Sequence, residues 1–319
     1  MTLRDSQSKK SHARTFNAYP QLIVIVGPTA SGKSAFGVRL AKKIGGEIIS
    51  ADSRQVYKGL NLASGKITKK EMAGVKHHCL DLVSPKTAFT ALNYKKHAQR
   101  AIKNIQNRGK TPIIVGGTGF YIDAVLERVS IPEVPPNPKL RKKLEKKTAA
   151  ALFKILKKLD PARAKTVEPQ NKRRLIRAIE IAKDSIKEKR SNIPIYRYID
   201  EKILWLGLNP GKEELKKKIN ARIDKTFNGM KREVKNLHKN GVSWNKLENL
   251  GLWPGLAAKY LQRKLSREET LKRLKTDTYR YSQKQMTWFK RNKEINWVVT
   301  LKEAKKMATR YLTSRQIFD

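Results

Sequence analysis

The first half of the chain alternates short apolar runs with longer stretches of helical periodicity. The apolar runs predict β-strands at Leu22–Val26, Glu47–Ala51, Cys79–Val83 and Pro112–Val115. Apolar positions recurring every three or four residues predict helices at 34–43 and 94–106. Strands that alternate with helices indicate a parallel sheet with helices on both faces. The first half therefore predicts an α/β core.

The alternation stops at a proline-rich stretch, residues 131–138, which holds four prolines. Helical periodicity follows at 140–144, 149–159 and 173–183, and an apolar strand returns at 203–208. Ser266 and Glu269 have the spacing of a capping box, which predicts the start of a late helix. We therefore predict an α/β core formed by 20–130 and 201–319 with C-terminal helices. A basic, mainly helical insertion at 131–200 interrupts it, and 1–19 form a disordered N-terminal extension.

The charge of the chain is strongly positive. Lys and Arg number 71 against 27 Asp and Glu, a formal net charge of +44. The basic excess is spread over the whole chain and is densest in residues 137–200. Such a field within a folded body indicates a polyanionic partner, and nucleic acid is the natural one. The predicted insertion is thus the best candidate for the binding surface.

Cysteine usage and hydropathy exclude other classes of protein. A single cysteine, Cys79, excludes a disulfide framework or a multi-cysteine zinc site and fits a reducing compartment. The apolar runs are too short to span a bilayer, and residues 1–19 lack the apolar segment of a secretory signal. We expect a cytoplasmic protein that has no membrane partner.

A phosphate-binding loop follows the first predicted strand. The segment reads GPTASGKS and fits G-x-x-x-x-G-K-[ST] at every fixed position. Its members are Gly27, Pro28, Thr29, Ala30, Ser31, Gly32, Lys33 and Ser34. Loop amides, the helix N-terminus and the Lys33 charge would bind phosphate oxygens, and the Ser34 hydroxyl would bind Mg²⁺. The motif predicts a P-loop NTPase-like core that holds a diphosphate or triphosphate, without saying which.

Two further motifs follow later predicted strands. They read DSRQVYKGL at 52–60 and GGTGFY at 116–121. In this order the three motifs resemble the tRNA dimethylallyltransferase (isopentenyltransferase) family. Weaker matches extend the resemblance from about residue 20 to 298, and they lie at 137–141, 159–161, 173–180, 219–224, 277–281 and 285–289. The resemblance covers nearly the whole chain.

The resemblance implies a chemistry. Members transfer a dimethylallyl group from dimethylallyl diphosphate to N6 of an adenine next to the tRNA anticodon, usually position 37, and release diphosphate. Asp52 stands at the position of the family's catalytic aspartate and would accept the N6 proton. Lys33 and Mg²⁺ would assist departure of the diphosphate. Thr118 would orient the reacting groups.

The resemblance also implies an RNA partner, the anticodon stem-loop of tRNA with the target adenine flipped out. The candidate tRNA contacts are Asp52, Ser53, Arg54, Gln55, Arg173, Arg174, Arg177, Arg280 and Lys284. One family segment is poorly kept, because residues 251–255 read GLWPG and lack the basic side chain typical there. That difference puts one RNA or phosphate contact in doubt. We expect the enzyme to act as a monomer.

Other functions remain open at this point. A P-loop small-molecule or nucleotide kinase would explain the loop, with Arg173 and Arg177 as lid arginines, but not the +44 charge or the helical insertion. An adenylate isopentenyltransferase would share the loop and use free adenine nucleotides, whereas the basic insertion favours tRNA. A non-enzymatic RNA-binding protein is disfavoured, because Lys33, Asp52 and Thr118 are all present.

Overall fold

The computed structural model describes residues 21–187 and 203–313, which divide into two compact units. Within the described residues, the first unit comprises 21–86, 99–117 and 203–313, and the second comprises 87–98 and 118–187. The predicted extension at 1–19 and the end of the predicted insertion, 188–200, lie outside the described residues.

The described elements follow one another in this order: β1 (Leu22–Val26), α1 (Lys33–Ile44), β2 (Glu47–Ala51), α2 (Lys69–Met72), β3 (His77–His78), α3 (Ala91–Gln106), β4 (Pro112–Gly116), α4 (Gly119–Val125), α5 (Pro138–Glu145), α6 (Ala149–Leu159), α7 (Pro161–Ala164), α8 (Lys172–Lys187), β5 (Ile203–Gly207), α9 (Lys212–Lys239), α10 (Trp244–Asn249), α11 (Leu252–Leu261), α12 (Arg267–Phe289), β6 (Asn296–Trp297) and α13 (Leu301–Thr313). The capping box predicted at Ser266 and Glu269 is confirmed at the start of α12.

The first unit is built on a parallel six-stranded sheet with the order β3-β2-β4-β1-β5-β6. Strand β1 lies between β4 and β5, so that Ile23 pairs with Ile113 on one side and Leu204 on the other. Every residue of β1, β2 and β4 is buried. Burial on both faces explains why β1 and β4 read as continuous apolar runs, whereas β2 also buries Glu47 and Ser50. The parallel arrangement brings their carboxyl ends to one edge of the sheet.

The apolar core of this sheet includes residues of α1 and α13. Ile25 and Val115 of the sheet belong to one buried cluster with Leu40 of α1 and Ala304 of α13. The C-terminal helices α9, α11 and α12 contact one another. They bring side chains that are distant in sequence into the same unit as the phosphate loop. No helix in the described parts of the chain is long and apolar enough to cross a membrane.

The second unit contains the described part of the predicted insertion. Leu152 and Leu156 of α6 belong to a buried cluster with Leu175 and Ile179 of α8. The unit is larger than the predicted insertion, because α4 and the first residues of α3 also belong to it. There the rings of Tyr94 and Tyr121 stack with their centroids 4.2 Å apart.

A buried carboxylate connects two helices of the second unit. Glu180 of α8 accepts hydrogen bonds from Arg141 Nε and Nη2 of α5, both at 2.7 Å. It also accepts from the Asn137 backbone N–H at 2.9 Å and from Arg177 Nη1 at 3.3 Å. These donors hold the pKa of Glu180 below its ordinary value, although burial alone would raise it.

The strand predicted at 79–83 is wrong. The third strand is β3, where His77 and His78 pair with β2, and Val83 forms only an isolated bridge with Tyr57. Cys79 and Asp81 have φ angles of 62° and 52°, in the left-handed region, which an extended strand cannot contain. The apolar residues of this segment are therefore part of a turn rather than a strand.

Candidate active site

Three loops meet at the carboxyl edge of the sheet. The phosphate loop follows β1, the Asp52 turn follows β2, and Gly117 follows β4. Because β2, β4 and β1 are neighbours in the sheet, these loops are adjacent. The phosphate loop and the Asp52 turn line two cavities in the first unit, of about 300 and about 500 Å³, and Gly116 at the end of β4 lines the larger one. The residues that line both cavities are Thr29, Lys33, Asp52, Ser64, Gly65 and Arg222.

The phosphate loop has the geometry that its sequence predicts. Gly32 precedes α1 with a φ of 87°, a conformation that favours glycine. No side chain caps the N-terminus of α1, and its first turn contains no acidic residue. The helix N-terminus can therefore bind an anion. Lys33 Nζ donates to the Pro28 carbonyl at 3.0 Å, and Ser34 lines the larger cavity.

Two partly buried cations, Lys33 and Arg222, line both cavities. Burial lowers the pKa of the Lys33 ammonium to about 8, with Asp52 opposing this effect and Arg222 adding to it. Burial also lowers the pKa of the Arg222 guanidinium, against the opposing charges of Asp52 and Glu71. Within residues 21–187 and 203–313, neither cation forms an ion pair with a carboxylate. Partly buried cations that line a cavity and have no ion-pair partner in the described chain indicate a site for an anionic ligand.

Asp52 lies at the end of β2 and caps its own turn. Its Oδ1 accepts from the backbone N–H of Arg54 at 2.8 Å and of Gln55 at 3.4 Å. These bonds fix the carboxylate in a wall common to the two cavities. The capping role and a chemical role are compatible, because within the described chain the second carboxylate oxygen makes no hydrogen bond.

The residues after Asp52 divide between the two cavities. Ser53 and Arg54 line the smaller cavity, whereas Gln55 lines the larger. Gln55 accepts from Ser50 Oγ at 2.8 Å and donates from Nε2 to the Gly65 carbonyl at 3.2 Å. Gln55 thus connects β2 to the loop that contains Gly65. All three residues were predicted to contact tRNA, and that role stays a prediction.

Gln285 is a site residue to which the sequence assigned no role, although the segment that it begins, 285–289, was matched to the family. It is buried on α12, and its Oε1 accepts from the Thr29 backbone N–H at 2.8 Å. Its Nε2 donates to the Gly117 carbonyl at 2.8 Å. One amide group therefore connects the phosphate loop to the turn after β4. The available indication was a polar residue at helical spacing from Thr278 and Ser282, both of which are buried.

Arg222 is a second residue without a predicted role. Its motif at 219–224 was recognised as a family match, but the function of the guanidinium was not. Four lysines precede it on α9, so its charge alone does not distinguish it from its neighbours. Only the packing of α9 shows that Arg222 lines both cavities, whereas Lys218 and Lys225 line the larger one alone.

The remaining predicted residues lie elsewhere. Thr118 follows Gly117 in the chain and precedes α4 in the second unit. On the first unit's α12, Lys284 is exposed, and Arg280 is exposed with an ion pair to Asp277 at 3.3 Å. The exposure of Arg280 and Lys284 is consistent with surface contacts, and the predicted roles of all three residues stay predictions.

The three arginines of α8 belong to the second unit. Arg174 forms an exposed ion pair with Glu168 at 2.9 Å. Arg177 donates to the Val134 carbonyl at 2.8 Å as well as to Glu180, so it contributes to the packing of its own unit. Arg173 also takes part in an interaction of its side chain or backbone. A role of these residues in binding tRNA likewise stays a prediction.

The fold and the site define a class of protein. A parallel sheet with a phosphate loop after its central strand is a P-loop NTPase-like core. Residues 55–292 match the family model described as IPP transferase. The chain belongs to this family.

Several relatives have described activities. A protein of Pelotomaculum thermopropionicum, described as a tRNA dimethylallyltransferase, is 40% identical over 88% of this chain and 91% of its own length. One of Halothermothrix orenii with the same description is 39% identical over 88% of this chain and 89% of its own.

Solved structures share the fold. A full-length tRNA isopentenylpyrophosphate transferase from Bacillus halodurans is 32% identical, with a TM-score of 0.69 over 93% of this chain and 98% of that one. A eukaryotic dimethylallyltransferase acting on tRNA is 25% identical, with a TM-score of 0.77 over 93% of this chain and 80% of that one.

Proposed function

We propose that this protein is a tRNA dimethylallyltransferase, which transfers the dimethylallyl group of dimethylallyl diphosphate to N6 of an adenine beside the anticodon. The observation that carries the proposal is the joint position of Asp52, Lys33 and Arg222 at the same cavities. A carboxylate beside two partly buried cations provides a base next to a diphosphate site. The described activities of the relatives support tRNA as acceptor and a prenyl diphosphate as donor.

The diphosphate binds at the phosphate loop. The uncapped N-terminus of α1 offers backbone N–H groups, and Lys33 and Arg222 supply full positive charges. Since these cations have no ion-pair partner in the described chain, the diphosphate would offset the cost of burying them. This arrangement lowers the barrier to transfer by stabilising the diphosphate as it leaves.

Mg²⁺ fits the same place. The Ser34 hydroxyl is a hard oxygen donor that lines the larger cavity, beside the predicted position of the phosphates. One protein ligand suffices because Mg²⁺ keeps several waters and commonly binds phosphate oxygens. When bound, Mg²⁺ would neutralise part of the charge of the leaving diphosphate.

The proposed transfer forms one bond, breaks one bond and passes one proton to Asp52. The adenine N6 lone pair attacks C1 of the dimethylallyl group, the bond between C1 and the diphosphate oxygen breaks, and its electron pair leaves with the diphosphate. The proton on N6 passes to the Asp52 carboxylate. The hydrogen bonds from the Arg54 and Gln55 amides to Oδ1 hold this carboxylate in place. Thr118 is proposed to orient the reacting groups.

The RNA partner is the anticodon stem-loop of tRNA. The net charge of +44 supports a polyanionic partner of this kind. The proposed contacts are Asp52, Ser53, Arg54, Gln55, Arg173, Arg174, Arg177, Arg280 and Lys284. An enzyme must take a stacked adenine out of the loop to reach its N6. We further propose that the protein works as a monomer in the cytoplasm.

The test is a transfer assay with labelled dimethylallyl diphosphate and Mg²⁺. The acceptors are an unmodified anticodon stem-loop, the same stem-loop with its adenine replaced by guanine, and AMP. We expect label only in the adenine stem-loop, and Asp52→Asn should reduce the rate by about a hundredfold to ten-thousandfold. Label in AMP would identify an adenylate isopentenyltransferase. ATP hydrolysis without any transfer would indicate a kinase and refute the proposal.

A further inference from the structure

The guanidinium of Arg222 contacts two uncharged neighbours. Its Cζ lies over the indole ring of Trp253, 5.3 Å from the ring centroid. Its Nη2 lies against the backbone of Gly65, where an added Cβ would overlap it. All three residues line the smaller cavity. Within the described chain Arg222 thus contacts an aromatic face and a backbone rather than a paired carboxylate, although the charges of Asp52 and Glu71 act on it from a greater distance.

Trp253 is itself fixed by α12. Its Nε1 donates to Thr278 Oγ1 at 2.8 Å, and Thr278 is buried. Pro254, which is also buried, follows Trp253 in the first turn of α11 and restricts the backbone there. The ring thus has a defined orientation against the cavity.

The loop that contains Gly65 is fixed as well. The Gly65 carbonyl accepts from Gln55 Nε2 at 3.2 Å. Glu233 of α9 accepts from the backbone N–H groups of Leu62 at 2.8 Å and Ala63 at 3.1 Å. The backbone that the guanidinium contacts at Gly65 is therefore ordered, since side chains from two other segments bind this loop.

This arrangement orients a cation without using its hydrogen-bond donors. A carboxylate partner would occupy the N–H groups of Arg222, whereas an aromatic face attracts the guanidinium through its π electrons and leaves its edge free. We propose that Trp253 and Gly65 are positioning residues, which hold Arg222 so that its N–H groups point at the diphosphate. The proposal rests on the proposed function, because it presumes a diphosphate at the phosphate loop, which lines the larger cavity together with Gly65 and Arg222.

The proposal also gives a role to an unusual segment. Residues 251–255 lack the basic side chain that the family resemblance led us to expect. The segment instead contributes the ring of Trp253 to the cavity, next to a basic side chain supplied by α9. The lost contact is thus replaced by support for an existing cation.

The experiment measures binding of inorganic pyrophosphate to the purified full-length protein by calorimetry, in Mg²⁺ buffer. Trp253→Ala should weaken binding about tenfold, as loss of a desolvated cation–π contact would. Trp253→Phe keeps an aromatic face and should stay within about threefold of the wild type. Gly65→Ala should weaken binding because its Cβ displaces the guanidinium.

The decisive comparison is a double-mutant cycle with Arg222→Gln. If Trp253 acts through Arg222, then Trp253→Ala should have no further effect once Arg222 is replaced. A general folding defect would weaken binding equally in both backgrounds, and this outcome would overturn the proposal, as would an unchanged affinity of Trp253→Ala. Lys33→Ala serves as the control for the site. If Lys33→Ala binds pyrophosphate like the wild type, the proposed diphosphate site itself is wrong.

Discussion

The lowered pKa of Lys33 should make diphosphate binding depend on pH in a range where other lysines do not titrate. Burial lowers this pKa from 10.5 to about 8 in the ligand-free protein. A group with a pKa of about 8 is roughly 90% protonated at pH 7 and roughly 10% protonated at pH 9. Since only the ammonium attracts a diphosphate, the affinity should fall as the pH rises through 8.

The assay is pyrophosphate binding by calorimetry between pH 6.5 and 9.5, with Lys33→Arg as the matched control. Pyrophosphate itself titrates in this range, but its titration affects both proteins equally, and the arginine keeps its charge throughout. The ratio of the wild-type dissociation constant to that of Lys33→Arg should be constant below pH 7 and rise towards about tenfold per pH unit above pH 8. A flat ratio up to pH 9.5 would refute the reasoning.

The same shift has a consequence for stability. Between pH 8 and 10.5 the unfolded chain binds more protons than the folded chain, so burial of Lys33 destabilises the protein at lower pH and this penalty disappears as the pH rises. A shift from 10.5 to about 8 corresponds to about 3 kcal/mol. Lys33→Met should therefore raise the free energy of unfolding of the ligand-free protein at pH 7. An unchanged or lower value would contradict the burial argument.

Three further expectations follow from other parts of the molecule. Gln285→Leu leaves the Thr29 N–H and the Gly117 carbonyl without their partner. It should lower the free energy of unfolding by about 1–3 kcal/mol in chemical denaturation and slow transfer in single-turnover assays. Wild-type values for both would contradict the bridging role. Glu180→Gln removes the charge that Arg141 faces, so it should destabilise the second unit and leave pyrophosphate binding unchanged. Weaker pyrophosphate binding would contradict the assignment of Glu180 to the packing of the second unit alone. The affinity for the stem-loop should fall steeply and log-linearly with salt concentration in a filter-binding titration, whereas a flat salt profile would argue against phosphate contacts.

Local sequence determined the central part of the fold. Strands β1, β2 and β4 are confirmed where they were predicted. The continuous apolar runs of β1 and β4 are typical of strands in a sheet that is covered on both faces. The phosphate loop and the capping box at Ser266 are equally local, since their hydrogen bonds join residues a few positions apart. The position of Asp52 at a strand end followed from the same pattern.

Tertiary structure decided the rest of the site. Arg222, Trp253 and Gln285 come from α9, α11 and α12, and the bond between Thr29 and Gln285 joins residues 256 positions apart. The residues 79–83 looked like a strand, yet left-handed backbone at two of them makes a turn. A periodic pattern shows that a helical side chain is buried but not which group it faces. That partner is chosen by long-range packing, so the surroundings of the two partly buried cations could be read only from the folded chain.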